Sequence, residues 1–233
     1  MIEFKSFASS SKGNLYTVDD GETKLLIECG IPWAKIQRAL DFKTSEVAGV
    51  LLSHADLDHS CGLKEVLRHG LDVWSSESAL NGHESHRSHI VTPLIPFRIG
   101  TWEITGLDGA HDEEGCLAWL MENRSGERFL FATDMAYIQY QCPGLQVLAI
   151  EANFDEDLLR ANVANGSIDQ AHKKRVYENH LSINRVLKFL DDQDTSRLQE
   201  IILCHLSDSN SDSEDFKRRI QEKTGIMVRI ASK

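Results

Sequence analysis

The sequence offers neither a disulfide framework nor a cysteine-rich metal site. Its five cysteines, Cys29, Cys61, Cys116, Cys142 and Cys204, are odd in number, lie far apart and form no C-x-x-C pair. Long apolar runs are missing too. None approaches the roughly 18–20 residues of a membrane span, and the opening MIEFKSFASSSKGN is polar where a secretory leader needs an apolar stretch. A cytoplasmic protein with no membrane partner is therefore expected. Positive charge is scarce: 25 Lys and Arg stand against 36 Asp and Glu, a formal balance of −11. That balance excludes a general electrostatic hold on nucleic acid, but not a local basic patch beside metal ions. What remains is an ordinary globular composition, 41% hydrophobic and 26% charged over 233 residues, which excludes disorder, coiled coil and collagen. A single domain over residues 1–233 can hide roughly 70% of its unfolded surface, and the sequence sets no oligomeric state.

Strand signals come early: Ile2 to Phe7, Leu15 to Val18 and Lys24 to Cys29, separated by Ser/Gly/Asn or Asp-Gly turns. A helix is predicted from Pro32 through WAKIQRAL, then a buried strand at VAGVLLSH and a helix at CGLKEVLRHG closed by Gly70. Further strands are expected at LDVW, TWEITGL and LQVLAIEA, with CLAWLMEN and ERFLFATD joined as a hairpin by RSG. Asp155 to Gly166 reads as a short helix and loop. SINRVLKFLDD reads as a helix capped by Ser182, EIILCHLS as a strand, DSEDFKRRIQEKTG as a helix ending at Gly225, and IMVRIA as a final strand. Strand groups interleaved with helices in both halves point to two sheets with helices outside.

The strongest chemical signal is Ser53-His54-Ala55-Asp56-Leu57-Asp58-His59. Four potential metal ligands occupy six consecutive positions directly after a buried strand, where loops carry function. Imidazole nitrogen and carboxylate oxygen suit zinc, manganese or iron. Capping would explain one Asp, but neither the paired histidines nor the density. A second cluster is Asn179-His180-Leu181-Ser182, preceded by His172, Lys173, Lys174 and Arg175. It reads either as a helix start that receives phosphate, with His180 as general acid toward a leaving oxygen, or as a plain Ser182 cap beside a solvated face. His83, His86 and His89 form a third histidine group, with His83 and His86 expected on one helix face. No ordered strand end supports that group as a metal site, and it is expected as exposed surface or a substrate-proximal loop. Trp33, Trp74, Trp102 and Trp119 are expected in the core.

The histidine-aspartate turn resembles the H-x-H-x-D-H hallmark of the metallo-β-lactamase superfamily. His54, Asp58 and His59 match, and Asp56 stands where a second His is usual, as in the superfamily's competence-related relatives. A carboxylate there favours manganese over zinc or weakens one ion. The resemblance implies an αββα sandwich of two mixed β-sheets flanked by helices, with later ligands at His111, Asp134 and His205. It further implies two divalent metal ions, zinc or manganese. One would take His54, His111 and Asp56, the other Asp58, His59 and His205, with Asp134 bridging. Glu28, in LLIECG, stands where the family has Asp, and either orients a ligand histidine or simply finishes its strand.

SSSKGN at Ser9 to Asn14, NHLS at Asn179 to Ser182 and CHLS at Cys204 to Ser207 resemble the small YycJ/WalJ-type enzymes of that superfamily. The resemblance spans Ser9 to about Ile230 and implies a 5′-to-3′ DNA exonuclease, related in layout to tRNA-processing ribonuclease Z. By it, Ser11, Lys12, Gly13 and Asn14 form a loop beside the metals, and His180 is the HLS-motif histidine near the scissile phosphate. Lys173, Lys174, Arg175 and Ser182 then grip a nucleic-acid substrate, DNA in preference to RNA. Catalysis falls to Asp58, Asp134 and His180. Two other readings share the scaffold: a hydrolase of a thioester, lactone or small phosphodiester, or a silent binding module that has lost a ligand at Asp56.

Overall fold

The computed structural model describes residues 1–109 and 115–232. The first half builds one sheet from β1 (Glu3–Ser10), β2 (Gly13–Asp19), β3 (Lys24–Ile27), β4 (Val47–Leu51), β5 (Val73–Ser75) and β6 (Ser88–Ile90), paired in that order. Its first three strands are antiparallel, and β3 to β6 run parallel. Helices α1 (Trp33–Ala39), α2 (Leu57–Ser60), α3 (Leu63–Arg68) and α4 (Glu77–Leu80) form the connections.

The second sheet has the order β13-β12-β11-β10-β9-β8-β7. It comprises β7 (Phe97–Ile99), β8 (Trp102–Asp108), β9 (Leu117–Glu122), β10 (Arg128–Ala132), β11 (Leu145–Glu151), β12 (Glu200–Cys204) and β13 (Met227–Ile230). Strands β7 to β10 are antiparallel, whereas β10, β11, β12 and β13 run parallel. Parallel pairing requires crossovers, and these carry α5 (Glu156–Ala164), α6 (Gln170–Asn179), α7 (Ile183–Asp192) and α8 (Ser213–Thr224).

The four layers follow from side-chain alternation along the central strands. On β12, Ile202 and Cys204 face the other sheet, while Ile201 and Leu203 face the helices. The inter-sheet core gathers Phe4, Tyr16, Trp102, Trp119, Phe129 and Phe131, with the Tyr16 and Phe131 rings 5.2 Å apart across the two sheets. Outside the first sheet, Leu26 and Val50 pack on Ile36, Leu63 and Val66 of α1 and α3. Outside the second, Leu148 and Ile201 pack on Val186 and Phe189 of α7 and on Phe216 and Ile220 of α8. The chain therefore forms the expected αββα sandwich of two mixed sheets. No helix among the described residues is long and apolar enough to cross a membrane.

Ser182 caps α7 by accepting from the Arg185 N–H at 3.2 Å, and Gly225 ends α8 in the left-handed conformation at φ 70°, both as the sequence predicts. Two local expectations need correction, and one helix is added to those the sequence predicts. Helix α4 stops at Leu80 and Gly82 turns at φ 78°, so His83 and His86 lie in a loop and share no helix face. Trp33 and Trp74 are only partly buried, and each stacks on a histidine, Trp33 on His69 and Trp74 on His89. The run QAHKKRVYEN forms a full helix, α6, capped by Asp169. Only Val176 and Asn179 of its ten residues are buried, too few to write a 3.6-residue apolar stripe.

Phe131→Ala should open a cavity between the sheets and cost roughly 3–5 kcal/mol, read as a lower urea midpoint at unchanged m-value. A loss under about 1 kcal/mol would place the shared core elsewhere.

Candidate metal centre

Because β3 and β4 run parallel in one sheet and β10, β11 and β12 in the other, their C-terminal ends collect at shared sheet edges. Loops at such ends are where open α/β sheets place functional groups. Glu28 follows β3, His54 to His59 follow β4, Asp134 follows β10, Glu151 ends β11 and His205 follows β12. Three of these, Glu28, Asp134 and His205, hold positive φ of 65°, 50° and 50°. Non-glycine residues adopt that region at a cost, and strain of this kind collects at functional sites.

The side chains converge. His59 Nε2 lies 3.0 Å from Asp134 Oδ2 and 3.4 Å from Asp58 Oδ2. His205 Nε2 lies 3.2 Å from Asp58 Oδ2, and His54 Nε2 is 3.7 Å from Asp56 Oδ2. Three overlapping groups of metal-capable atoms result: His54, His59 and Asp134; Asp58, His59 and His205; and Asp134, Glu151, His180 and His205. Asp134 belongs to two of them. His111 lies outside the described residues.

A metal-binding imidazole must offer an unprotonated nitrogen, and a partner on its other nitrogen selects that tautomer. His205 fits through a carboxylate, His54 has a hydroxyl in the same place, and His59 has a carboxylate beside Nδ1 without a hydrogen bond to it. His54 Nδ1 is 2.8 Å from Ser53 Oγ, His205 Nδ1 is 3.0 Å from Glu151 Oε1, and His59 Nδ1 faces Glu28 Oε2 at 3.5 Å. Each thereby turns Nε2 toward the carboxylates. Glu28 is fully buried, its Oε1 makes no hydrogen bond among the described residues, and its Oε2 accepts the Ser53 N–H at 3.3 Å. The set of imidazole nitrogens and carboxylate oxygens fits a zinc or manganese ion.

Asn14 sits beneath this cluster, fully buried. Its Nδ2 donates to the Asp58 carbonyl at 3.1 Å and Oδ2 at 3.3 Å, and approaches His59 Nε2 at 3.0 Å. Its Oδ1 accepts from the Tyr16 hydroxyl at 3.0 Å, which in turn is 2.8 Å from Ser9 Oγ, the acceptor for the His205 N–H. The Ser9 to Asn14 segment thus links the ligand loops of both sheets. Within it only Ser11 lines the cleft above the cluster, while Lys12 is exposed and pairs with Asp208 at 3.5 Å. Gly30 completes the support. Its N–H donates to the Asn14 carbonyl at 2.9 Å, and a Cβ there would overlap the Asp58 carbonyl.

The cleft has a volume of about 410 Å³, and its wall includes Ser11, Asp56, Asp58, Asp134, His172, Arg175, His180 and His205. His180 separates α6 from α7 rather than lying within either. Its Nδ1 is 2.7 Å from Glu151 Oε1 and 3.0 Å from Asp134 Oδ1. Glu151 Oε2 accepts the Leu181 N–H at 3.0 Å. Ser182 is buried and donates to Glu156 Oε1 at 2.9 Å. Lys174 pairs with Glu178 at 3.7 Å, and Lys173 lies over the Tyr177 ring, so of the basic run only Arg175 lines the cleft. Glu151 escaped the sequence reading. Its one signal was a carboxylate closing the otherwise apolar run LQVLAI.

Charge and burial oppose each other here. Burial alone would neutralise Asp134 and Glu151, yet the surrounding histidines hold both below the ordinary carboxylate range. Burial disfavours a charged His205, but Asp134, Asp58 and Glu151 overcome it and raise its pKa to about 9. His59 and His180 are raised for the same reason, and Asp58 is lowered by His205 and His59 despite its desolvation.

The chain belongs to the beta-lactamase superfamily, whose domain it matches over residues 23–205. With the two-sheet fold and this cluster, that makes it a metallo-β-lactamase-fold hydrolase carrying a set of residues suited to divalent metal. Among curated proteins it is similar to the exodeoxyribonuclease YycJ of Bacillus anthracis, 26% identical over 231 residues, 91% of this chain and 85% of the relative. Among solved structures it resembles the metallo-β-lactamase-fold protein YhfI of Bacillus subtilis, with a TM-score of 0.74 and 16% identity over 99% of this chain and 96% of the other. The short form of human tRNase Z superposes with a TM-score of 0.67 and 12% identity, over 100% of this chain and 96% of the other.

Two outcomes are expected. In the metal-free protein, His205 stabilises the fold below its unfolded value of 6.5, and that contribution is lost as pH rises through about 9. A metal binding its Nε2 must displace the proton, so apparent affinity should rise with pH up to about 9. Manganese titration calorimetry at pH 7 in two buffers of different ionisation enthalpy should therefore show proton release, and equal heats would refute it. Gly30→Ala, by pushing the Asp58 loop, should weaken metal binding on the scale of lost supporting contacts, roughly 10–100-fold, in the same titration. Unchanged affinity would mean that the loop has room to move.

Proposed function

We propose that this protein is a two-metal phosphodiesterase that acts on nucleic acid, an exonuclease removing nucleotides from the 5′ end of DNA in the cytoplasm. The observation that carries the reading is His180, an imidazole in the cleft wall backed by the buried Glu151 carboxylate, with Arg175 and His172 beside it. The similarity to an exodeoxyribonuclease over 91% of the chain supports the same substrate class.

The ligand roles we assign are those the family resemblance implies. His54, Asp56 and His111 would hold one zinc or manganese ion, and Asp58, His59 and His205 the other. Asp134 would be shared between them, a role supported by its place in two groups of donor atoms. Divalent ions bound there supply Lewis acidity, lowering the pKa of water and neutralising phosphate charge. The chain's own residues do the rest. Arg175 and His172 receive the phosphate oxygens and set the strand's position. Because Glu151 and Asp134 engage His180 Nδ1, its remaining proton sits on Nε2, the nitrogen left to meet the leaving oxygen. Burial works against the imidazolium, but the Glu151 and Asp134 carboxylates raise its pKa, which favours the protonated form that can donate to a leaving oxygen. Glu28 and Ser53 hold the ligand histidines in orientation.

The test is manganese-supplemented digestion of 5′- and 3′-labelled single and double strands. The wild type should release label first from the 5′ end, and Asp58→Ala or Asp134→Ala should abolish turnover while unfolding stays cooperative. His180→Ala should keep bound metal yet slow hydrolysis by roughly 10²–10⁴-fold. Retained turnover in both aspartate variants, or no digestion of DNA or RNA by the wild type, would overturn the reading. Asp56→His should shift metal preference toward zinc. An unchanged manganese-to-zinc ratio would mean that Asp56 does not touch the ion.

A further inference from the structure

A second groove, of about 660 Å³, begins where the cleft ends. It shares Asp208 with the cleft wall, and the turn between β1 and β2 contributes Ser11 to one and Ser10 and Lys12 to the other. Its floor is the outer face of β1, the free edge of the first sheet, and its far wall is α1.

Two features of this groove have no role in the metal centre. The first is charge. In a chain of net −11, the segments that build it carry no acidic residue from Phe4 to Val18 or from Cys29 to Leu40. Lys35 and Arg38, three apart and so on one face of α1, are exposed and both line the groove. Lys12 stands at its inner end and is paired with Asp208, the one carboxylate in the lining among the described residues. The second is backbone shape. The β1–β2 register shifts between Ser6 and Ala8, so Phe7 is an extra residue in its strand. A bulge of this kind turns two consecutive side chains to one side, and Phe7 and Ala8 both line the groove. An aromatic ring half-buried on the floor, with cations along the wall, is the combination that holds single-stranded nucleic acid: backbone phosphates on Lys and Arg, a base on the ring.

We propose that this groove carries the single strand running away from the scissile phosphate, with Lys35 and Arg38 on its phosphates and Phe7 beneath a base. The inference rests on the nucleic-acid reading above and adds to it the path of the substrate, from the cleft that Arg175 lines into the adjoining groove. It predicts that affinity grows with strand length, because only a strand long enough to leave the cleft can meet α1.

The experiment compares KM for a dinucleotide and for single strands of increasing length, at several salt concentrations, in the wild type, the Lys35→Glu/Arg38→Glu double variant and Phe7→Ala. A Lys188→Glu/Lys217→Glu variant, which makes the same charge change on α7 and α8, is the control, and thermal unfolding checks each fold. Wild-type KM should fall with length. In the double variant that fall should disappear, and the slope of log KM against log salt should flatten by about 1.4, or about 0.7 per lost phosphate contact. Phe7→Ala should also raise KM for long strands, but leave the salt slope in place. The control should keep both the length dependence and the slope. If the wild type digests strands, yet the double variant keeps its length dependence and salt slope, or the control loses them equally, the groove assignment is wrong while the nuclease reading stands. If the wild type digests no nucleic acid of any length, the nuclease reading falls and the groove assignment with it.

Discussion

Two carboxylates with almost no access to water, Asp134 and Glu151, stand at the ends of adjacent parallel strands in the middle of this protein. A buried charge is tolerated only when paired and hydrogen-bonded, and the surrounding structure supplies that pairing. His59, His180 and His205 come to these two groups from three different segments. The direction of every ring follows, because a carboxylate or hydroxyl on Nδ1 leaves Nε2 facing the centre. Removing a carboxylate would strand the histidines as surely as removing a histidine would strand the carboxylates.

Topology makes the convergence possible. Each sheet changes from antiparallel to parallel pairing partway across, and only the parallel strands deliver ligands. Hairpins would send alternate strand ends to opposite edges, whereas crossovers, a loop after β10 and helices after β11, return the chain so that β10, β11 and β12 all end at the cleft. The left-handed backbone at Glu28, Asp134 and His205 is the local cost of turning side chains inward immediately after a strand. Asn14 and Gly30 hold the first sheet's ligand loop, and Ser9 ties that sheet to the second by accepting the His205 N–H, so ligands of the two halves share one network.

Much of this was legible because it is written locally. His54 to His59 pack four donors into one turn, and a buried run before them marks a strand end. Alternation on EIILC and VAGVL sets the layers, and Ser182 and Gly225 punctuate helices by their own chemistry. Interactions between distant segments were not legible. Glu151 looks like the polar end of a strand until His180 and His205 are brought to it. Asn14 reads as a loop residue, although it is buried under Asp58. Helix α6 carries too few apolar residues to announce itself, since one face meets solvent and the other meets the cleft. Lys173 and Lys174 resembled a phosphate grip in sequence, yet on a helix only one side of such a run can face the site, and that side holds His172 and Arg175.

The acidic total charge and the nucleic-acid reading are compatible because charge is distributed, not averaged. Carboxylates gather with the histidines of the cluster, and the adjoining groove is lined by Lys12, Lys35 and Arg38. The claim on which the rest depends is that the histidine-carboxylate cluster holds a pair of ions through Asp134. Counting manganese bound per chain by calorimetric titration tests it most directly. The account predicts two equivalents for the wild type, and loss of tight binding at both when Asp134 is replaced by Ala. A single equivalent in the wild type, or undiminished binding without Asp134, would contradict it.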